Sequence, residues 1–212
     1  MNAPTSAPRS SAAPVLQSGV KDGVVLVELN RPQASNSLSE GMLQALSDTL
    51  AEIAANKRIR AVVLAANGKS FCAGHDLKEI TARRRDSDGG RGYVQDLMDR
   101  CSAMMQSIHR MPQPVIAAVE GAATAAGCQL VASCDLAIAS KTAKFATPGV
   151  HIGLFCSTPM VALSRNVAPK HAMDMLLTGD LISADEACRI GLVNRVVAAG
   201  KERDEAVKLA RK

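Results

Sequence analysis

The chain has 212 residues, 47% hydrophobic and 21% charged, with a formal charge of +5 and a pI near 9.0, figures ordinary for one soluble globular domain. Basic nucleic-acid modules interleave their charge with aromatics, and here only three Phe and one Tyr accompany it, so the run Arg83, Arg84, Arg85 and Arg91 reads as a solvated face and nucleic acid is not expected as a partner. No apolar stretch approaches the ~20 residues that cross a bilayer, so no membrane partner is expected either.

Residues 1–14, rich in Pro, Ala and Ser, lack the apolar core of a secretory signal and are expected to form a disordered N-terminal tail. The domain proper is expected over 15–200. It opens with β-rich runs at Val15–Val20 and Val24–Leu29 around Asp22-Gly23, a strong hairpin signal. Ser37 and Glu40 have the spacing of a capping box before apolar positions 42, 43, 46, 50, 53 and 54, which predicts an amphipathic helix to about Asn56. Ala61–Ala66 is apolar throughout and suits a strand covered on both faces.

Lys69–Leu77 reads as a loop, and Thr81–Gly92 has neither period and is expected to be mobile. A helix follows over Tyr93–Arg110, with Val94, Leu97, Met98, Cys101, Met104, Met105 and Ile108 on one face, and Pro112 and Pro114 stop it. Val115–Val119 is the next buried strand, Gly121 opens a small-residue turn into a helix at about Ala126, and Leu136–Ala139 is a further strand. Ser183 and Glu186 repeat the capping-box spacing, Gly191 suits a helix C′ position, and Leu192–Val197 is a final strand. The rhythm is that of a layered α/β domain, and 201–212 would begin a C-terminal helical region.

Six cysteines are spread without a CxxC pair or zinc spacing, so neither a metal nor a disulfide framework is expected; reduced thiols point to a cytoplasmic protein. Two small-residue turns, Phe71–Leu77 and Gly121–Gln129, each follow a buried strand. Such turns serve either tight packing or the presentation of backbone N–H donors to an oxygen that becomes negative, as when a thioester enolises.

Five segments in order, RPQASNSL from Arg31, SFCAGHDLKEI from Ser70, PVIAAVEGAATAAGCQLVASCDLAIAS from Pro114, FATPGVHIGLF from Phe145 and LLTGDLISADEACRIGLVNRVV from Leu176, resemble the motifs of the crotonase (enoyl-CoA hydratase/isomerase) superfamily. The resemblance covers residues 15–200. It implies an α/β spiral of repeated ββα/βαβ turns, assembled as a homotrimer or dimer of trimers, that takes a coenzyme A thioester as substrate or ligand and keeps no permanent cofactor. The peptide N–H groups of His75 and Ala126 would occupy the family's oxyanion-hole positions, Ala73, His75, Asp76 and Leu77 its CoA-binding loop, and Ala34 the start of the pantetheine channel. Ala126 stands where glycine is usual, which a negative φ permits.

The same resemblance implies two losses. Hydration needs carboxylates to activate water and exchange the Cα proton, and their positions hold Gln129 and Gly149. His151 is the candidate substitute base. A non-catalytic acyl-CoA binding or regulatory protein is the alternative to an enoyl-CoA hydratase or isomerase. Relatives continue through further helices, so the C-terminal helical part is expected to be cut short here.

Overall fold

The computed structural model describes residues 13–212; apart from Ala13 and Pro14, the expected N-terminal tail lies outside the described residues. Asp22 and Gly23 adopt φ of 55° and 80°, the paired positive values of a two-residue hairpin turn, and Lys21 and Val24 exchange both backbone hydrogen bonds across it. The turn returns β1 (Val15–Gln17) antiparallel to β2 (Val24–Leu29), Val15 opposite Leu29. Ala13 and Pro14 carbonyls extend that edge by accepting from Asn30.

The main sheet has the order β1-β2-β3-β5-β7-β10, with β3 (Ala61–Ala66), β5 (Val115–Val119), β7 (Leu136–Ser140) and β10 (Arg195–Val197) all parallel to β2. Every residue of β3 and β5 is buried, as their continuous apolar sequences require. Val62 and Leu64 face one core, while Val63 and Ala65 face a second that includes Ile116, Ala118 and Ile138. The helix α8 (Glu202–Ala210) covers this second face through Ala206. Arg203 pins it, donating to Glu28 and to Asn67.

A second sheet is made of very short strands in the order β4 (Ser70–Cys72), β6 (Ala122–Thr124), β8 (Lys144–Ala146) and β9 (Ile182–Ser183), of which β4, β6 and β8 directly follow β3, β5 and β7. Helices then close each turn: α1 (Glu40–Ala55) after β2, α2 (Leu77–Ala82) and α3 (Arg91–Arg110) after β4, α4 (Ala126–Ser133) after β6, and α5 (Ser157–Asn166) and α6 (Pro169–Thr178) after β8. This is the expected spiral of ββα turns. Ser183 caps α7 (Ala184–Arg189) by accepting from Glu186, and Gly191 follows at φ 90°.

Three expectations differ from the structure. The cap of α1 is Ser39, which accepts from the Met42 amide, because Ser37 turns its hydroxyl toward Asp76 instead. The Lys69–Leu77 loop contains β4, and the Gly121 turn contains β6. Thr81–Gly92 also has regular structure: a 3-10 turn at Arg83–Arg85 follows α2, Asp88 accepts from Gly90 and Gly92 at the start of α3, and the Arg83 guanidinium sits 5.0 Å from the Tyr93 ring centroid.

Candidate functional site

Three loops at the ends of β2, β3 and β5 are joined by hydrogen bonds. In the first, Asn36 is fully buried with φ 51°; its Oδ1 accepts from the Arg31 amide, and its Nδ2 donates to the Asn67 and Ser70 carbonyls. Ala73 N–H donates to Ser35, Leu38 N–H to Gly74, and Asp76 N–H to Leu38, which joins this loop to the second. Thr124 Oγ1 donates to the Ala73 carbonyl and joins the second to the third. A Cβ at Gly74 would lie 2.9 Å from Ala125 Cβ and 3.3 Å from Ala126 N. The two small-residue turns therefore touch.

Neither the His75 nor the Ala126 peptide N–H has an acceptor among the described residues. Ala126 is the first residue of α4, whose opening amides have no partner within the helix and carry the positive end of its dipole. Its φ is not positive, so alanine is tolerated there. The strain falls one residue earlier, where Ala125 has φ 50° and ψ −120°, a conformation that favours glycine. Gly127 has a packing reason, since an added Cβ would lie 2.0 Å from the Cys72 carbonyl oxygen.

Gln129, one turn into α4, is 9% exposed, and its Oε1 is buried without a hydrogen-bond partner. It stands at the side of a groove of about 650 Å³ between α3, α4 and α5. No Asp or Glu lines that groove. Gly149, in the 3-10 turn Pro148–Ile152, is buried and donates its N–H to Cys156 Sγ; an added Cβ would lie 2.4 Å from the Leu154 carbonyl oxygen. The glycine is thus demanded by the turn around it.

His151 is not brought to this groove. Its ring is exposed, and Nε2 lies 2.9 Å from the Thr178 carbonyl, which can only accept, so Nε2 carries the proton. His75 is half-buried with both ring nitrogens out of reach of solvent: desolvation holds it below its ordinary value of 6.5, against a weaker upward pull from the Leu38 backbone. Neither of its ring nitrogens makes a well-formed hydrogen bond among the described residues.

The other expected contact residues divide between structure and surface. Burial alone would raise the Asp76 carboxyl, but hydrogen bonds from Arg31, the Lys78 amide and Ser37, with the Arg31 charge, hold it below the usual range. Asp76 therefore organises the start of α2. Ala73 and Leu77 are exposed, Ala34 is half-buried in the Pro32–Ala34 3-10 turn, and Leu77, Lys78, Arg84 and Arg85 line a concave surface of about 730 Å³. All six cysteines are free, and burial pushes Cys72, Cys101 and Cys128 up to about 12, which keeps them as unreactive thiols. Among the described residues no group of three His, Cys, Asp or Glu is placed to hold a metal, and no helix is long and apolar enough to cross a membrane.

Sequence reasoning passed over Asn36 and Ala125. The signal for the first was present, since Asn tolerates the left-handed region that this turn needs. For Ala125 there was none, because its residue type argues against the conformation it holds.

The spiral of ββα turns and the paired turns at its loop ends define a crotonase-type protein. The enoyl-CoA hydratase/isomerase family model matches residues 19–212, and the chain belongs to that family. It is 45% identical over 192 residues to the protein of Rattus norvegicus named enoyl-CoA hydratase domain-containing protein 3, mitochondrial, covering 91% of this chain and 62% of that one. The human protein of the same name is 44% identical over 207 residues, covering 98% of this chain and 65% of that one. The chain thus spans less than two thirds of these relatives' length. Among solved structures, the human enoyl coenzyme A hydratase domain-containing protein 3 superposes with a TM-score of 0.87 at 44% identity, over 93% of this chain and 76% of that one. An enoyl-CoA hydratase of Mycobacterium smegmatis also gives 0.87, at 54% identity, over 93% and 75%.

Proposed function

We propose that this chain binds an acyl-CoA thioester and holds its carbonyl oxygen on the peptide N–H groups of His75 and Ala126. The observation that carries the reading is their shared lack of an acceptor in two turns that touch, one of them at a helix N-terminus. Donors fixed before the ligand arrives stabilise charge on that oxygen without reorganisation, and one such donor contributes about 10²–10³ in rate. Lys78, Arg84 and Arg85 beside Leu77 supply cations for the CoA phosphates. Ala34, Ala73 and Asp76 shape the entry, Asp76 by fixing the start of α2.

Enolate formation also needs a group to take the Cα proton. The Gln129 amide cannot titrate, Gly149 has no side chain, and no carboxylate lines the groove. Standard hydration of an enoyl thioester is therefore weak in this reading. The second reading is an acyl-CoA binding or regulatory protein without turnover, favoured by the unpartnered Gln129 amide in a groove free of acids.

A homotrimer or dimer of trimers is proposed for the assembly, with the exposed Ile152, Leu154 and Phe155 as the kind of apolar surface subunits cover. Free thiols suit a reducing compartment such as the cytoplasm, whereas the names of the two curated relatives place those proteins in mitochondria.

The test is calorimetric titration with crotonyl-CoA, with hydration of the same sample followed by loss of enoyl absorbance. Saturable binding with hydration lowered by about 10²–10⁴ relative to the 54% identical hydratase supports the proposal. Absence of binding overturns it, and hydration equal to that enzyme's overturns the role given to the missing glutamates.

A further inference from the structure

The groove between α3, α4 and α5 has two chemically different ends. α3 and α4 lead into the adjacent parallel strands β5 and β7, and the end of α5 is bonded to the end of α4. At the start of α4 Gly127 packs on Cys72, which is near enough to feel Cys101, midway along α3, and Cys128 likewise feels Cys156 just before α5. At the far ends of the helices, Asn166 donates to the Ala132 carbonyl, and the Val115 and Asp135 backbones, just past α3 and α4, are hydrogen-bonded. Gln129 and Thr158 therefore lie at the end nearer Ala126, and Arg110 and Arg165 lie at the other. Between them Met98, Met105, Val161 and Ala162 give an apolar wall.

The far end is cationic without compensation. Arg110 and Arg165 form no salt bridge with an acid among the described residues, Arg110 donating instead to the neutral Gln106 amide. At about 1.5 Å per residue, Arg165 is roughly 10 Å along the helix from Thr158, and Arg110 roughly 14 Å from Cys101.

We infer that the acyl group this site selects is a medium-length chain ending in an anionic carboxylate, its thioester at the Ala126 end and its terminal carboxylate between Arg110 and Arg165. The inference rests on the acyl-CoA reading above. An apolar passage suits the methylenes, and the two guanidinium groups supply the charge-assisted hydrogen bonds that a plain alkyl terminus cannot use. Gln129 makes the near end a binding position, since its amide offers hydrogen bonds but no proton transfer.

The experiment compares octanoyl-CoA with the thioester of octanedioic acid bearing a free terminal carboxylate, by calorimetry on the full chain. The dicarboxylic thioester is expected to bind about tenfold more tightly at low salt, with that ratio falling toward one at about 0.5 M salt as the arginines are screened. The pair Arg110→Gln and Arg165→Gln should bring the low-salt ratio to about one, with octanoyl-CoA binding retained as evidence of folding. Equal affinities in the parent chain overturn the inference, as does a preference insensitive to both salt and the substitutions. Binding of octanoyl-CoA without preference leaves the acyl-CoA reading standing and removes only this one, whereas binding of neither thioester removes both.

Discussion

Ala125 holds φ 50° with a methyl group that glycine would not carry, and the Gly74 loop packs against that methyl. Such a conformation costs about 1–3 kcal/mol, and the extra freedom glycine gives the unfolded chain costs about 0.4–1 kcal/mol. Relief of strain is the larger effect, so Ala125→Gly should stabilise by about 1 kcal/mol in chemical denaturation; a loss of stability would show that the backbone is not strained there. His75 links the same region to pH. Because burial lowers its folded value below 6.5, the unfolded chain binds the proton first as pH falls. Its contribution is full above about pH 6.5 and is lost as pH falls from there toward the depressed folded value. Glu202 has the opposite sign, its carboxyl raised first by burial and also by neighbouring Glu120, so the comparison must isolate His75. Between pH 7.5 and 5.5 the parent should lose more thermal stability than His75→Gln; equal losses would contradict the buried neutral ring. At the two glutamate positions the outcomes differ. Gln129→Glu should fold and raise crotonyl-CoA hydration by about 10²-fold. Gly149→Glu should cost about 3 kcal/mol, because its Cβ meets the Leu154 backbone and Cys156 Sγ. If Gly149→Glu melts like the parent, the turn is looser than described.

Among the elements, the loop held by Asn36 is the one most dependent on a single side chain. The side chain is buried and its three hydrogen bonds are part-buried, and at about 1 kcal/mol each Asn36→Ala should lose about 3 kcal/mol and weaken thioester binding by displacing Gly74. Unchanged stability would show that water replaces the amide. What the sequence made legible follows from the strength of local signals. β3 and β5 were readable because each is an unbroken apolar run, and the hairpin because Asp-Gly leaves few other turns. The second sheet was not, because strands of two or three residues complete no period and depend on pairing with distant segments. Ser37 and Ser39 fit the helix cap equally well by residue type, and only Asp76, far along the chain, decides between them. The touching turns were legible as motifs. The basic end of the groove was not, since Arg110 and Arg165 come to line one groove only because α3 and α5 both pack on α4.

At the scale of the molecule, the parallel sheet carries its loops to one side, and the short sheet beneath them fixes the turns between β4, β6 and β8 against one another. That arrangement brings two backbone donors from distant parts of the sequence to one place, while α8 closes the other face of the main sheet. The central claim is that the His75 and Ala126 amides polarise a bound thioester. The most direct test is the isotope-edited infrared C=O band of an acyl-CoA carrying ¹³C at its thioester carbon, free and bound to the full chain. Hydrogen bonds to the oxygen weaken the C=O bond, so the account predicts a shift to lower wavenumber on binding. A bound thioester whose band stays at its solution position or moves higher would contradict it.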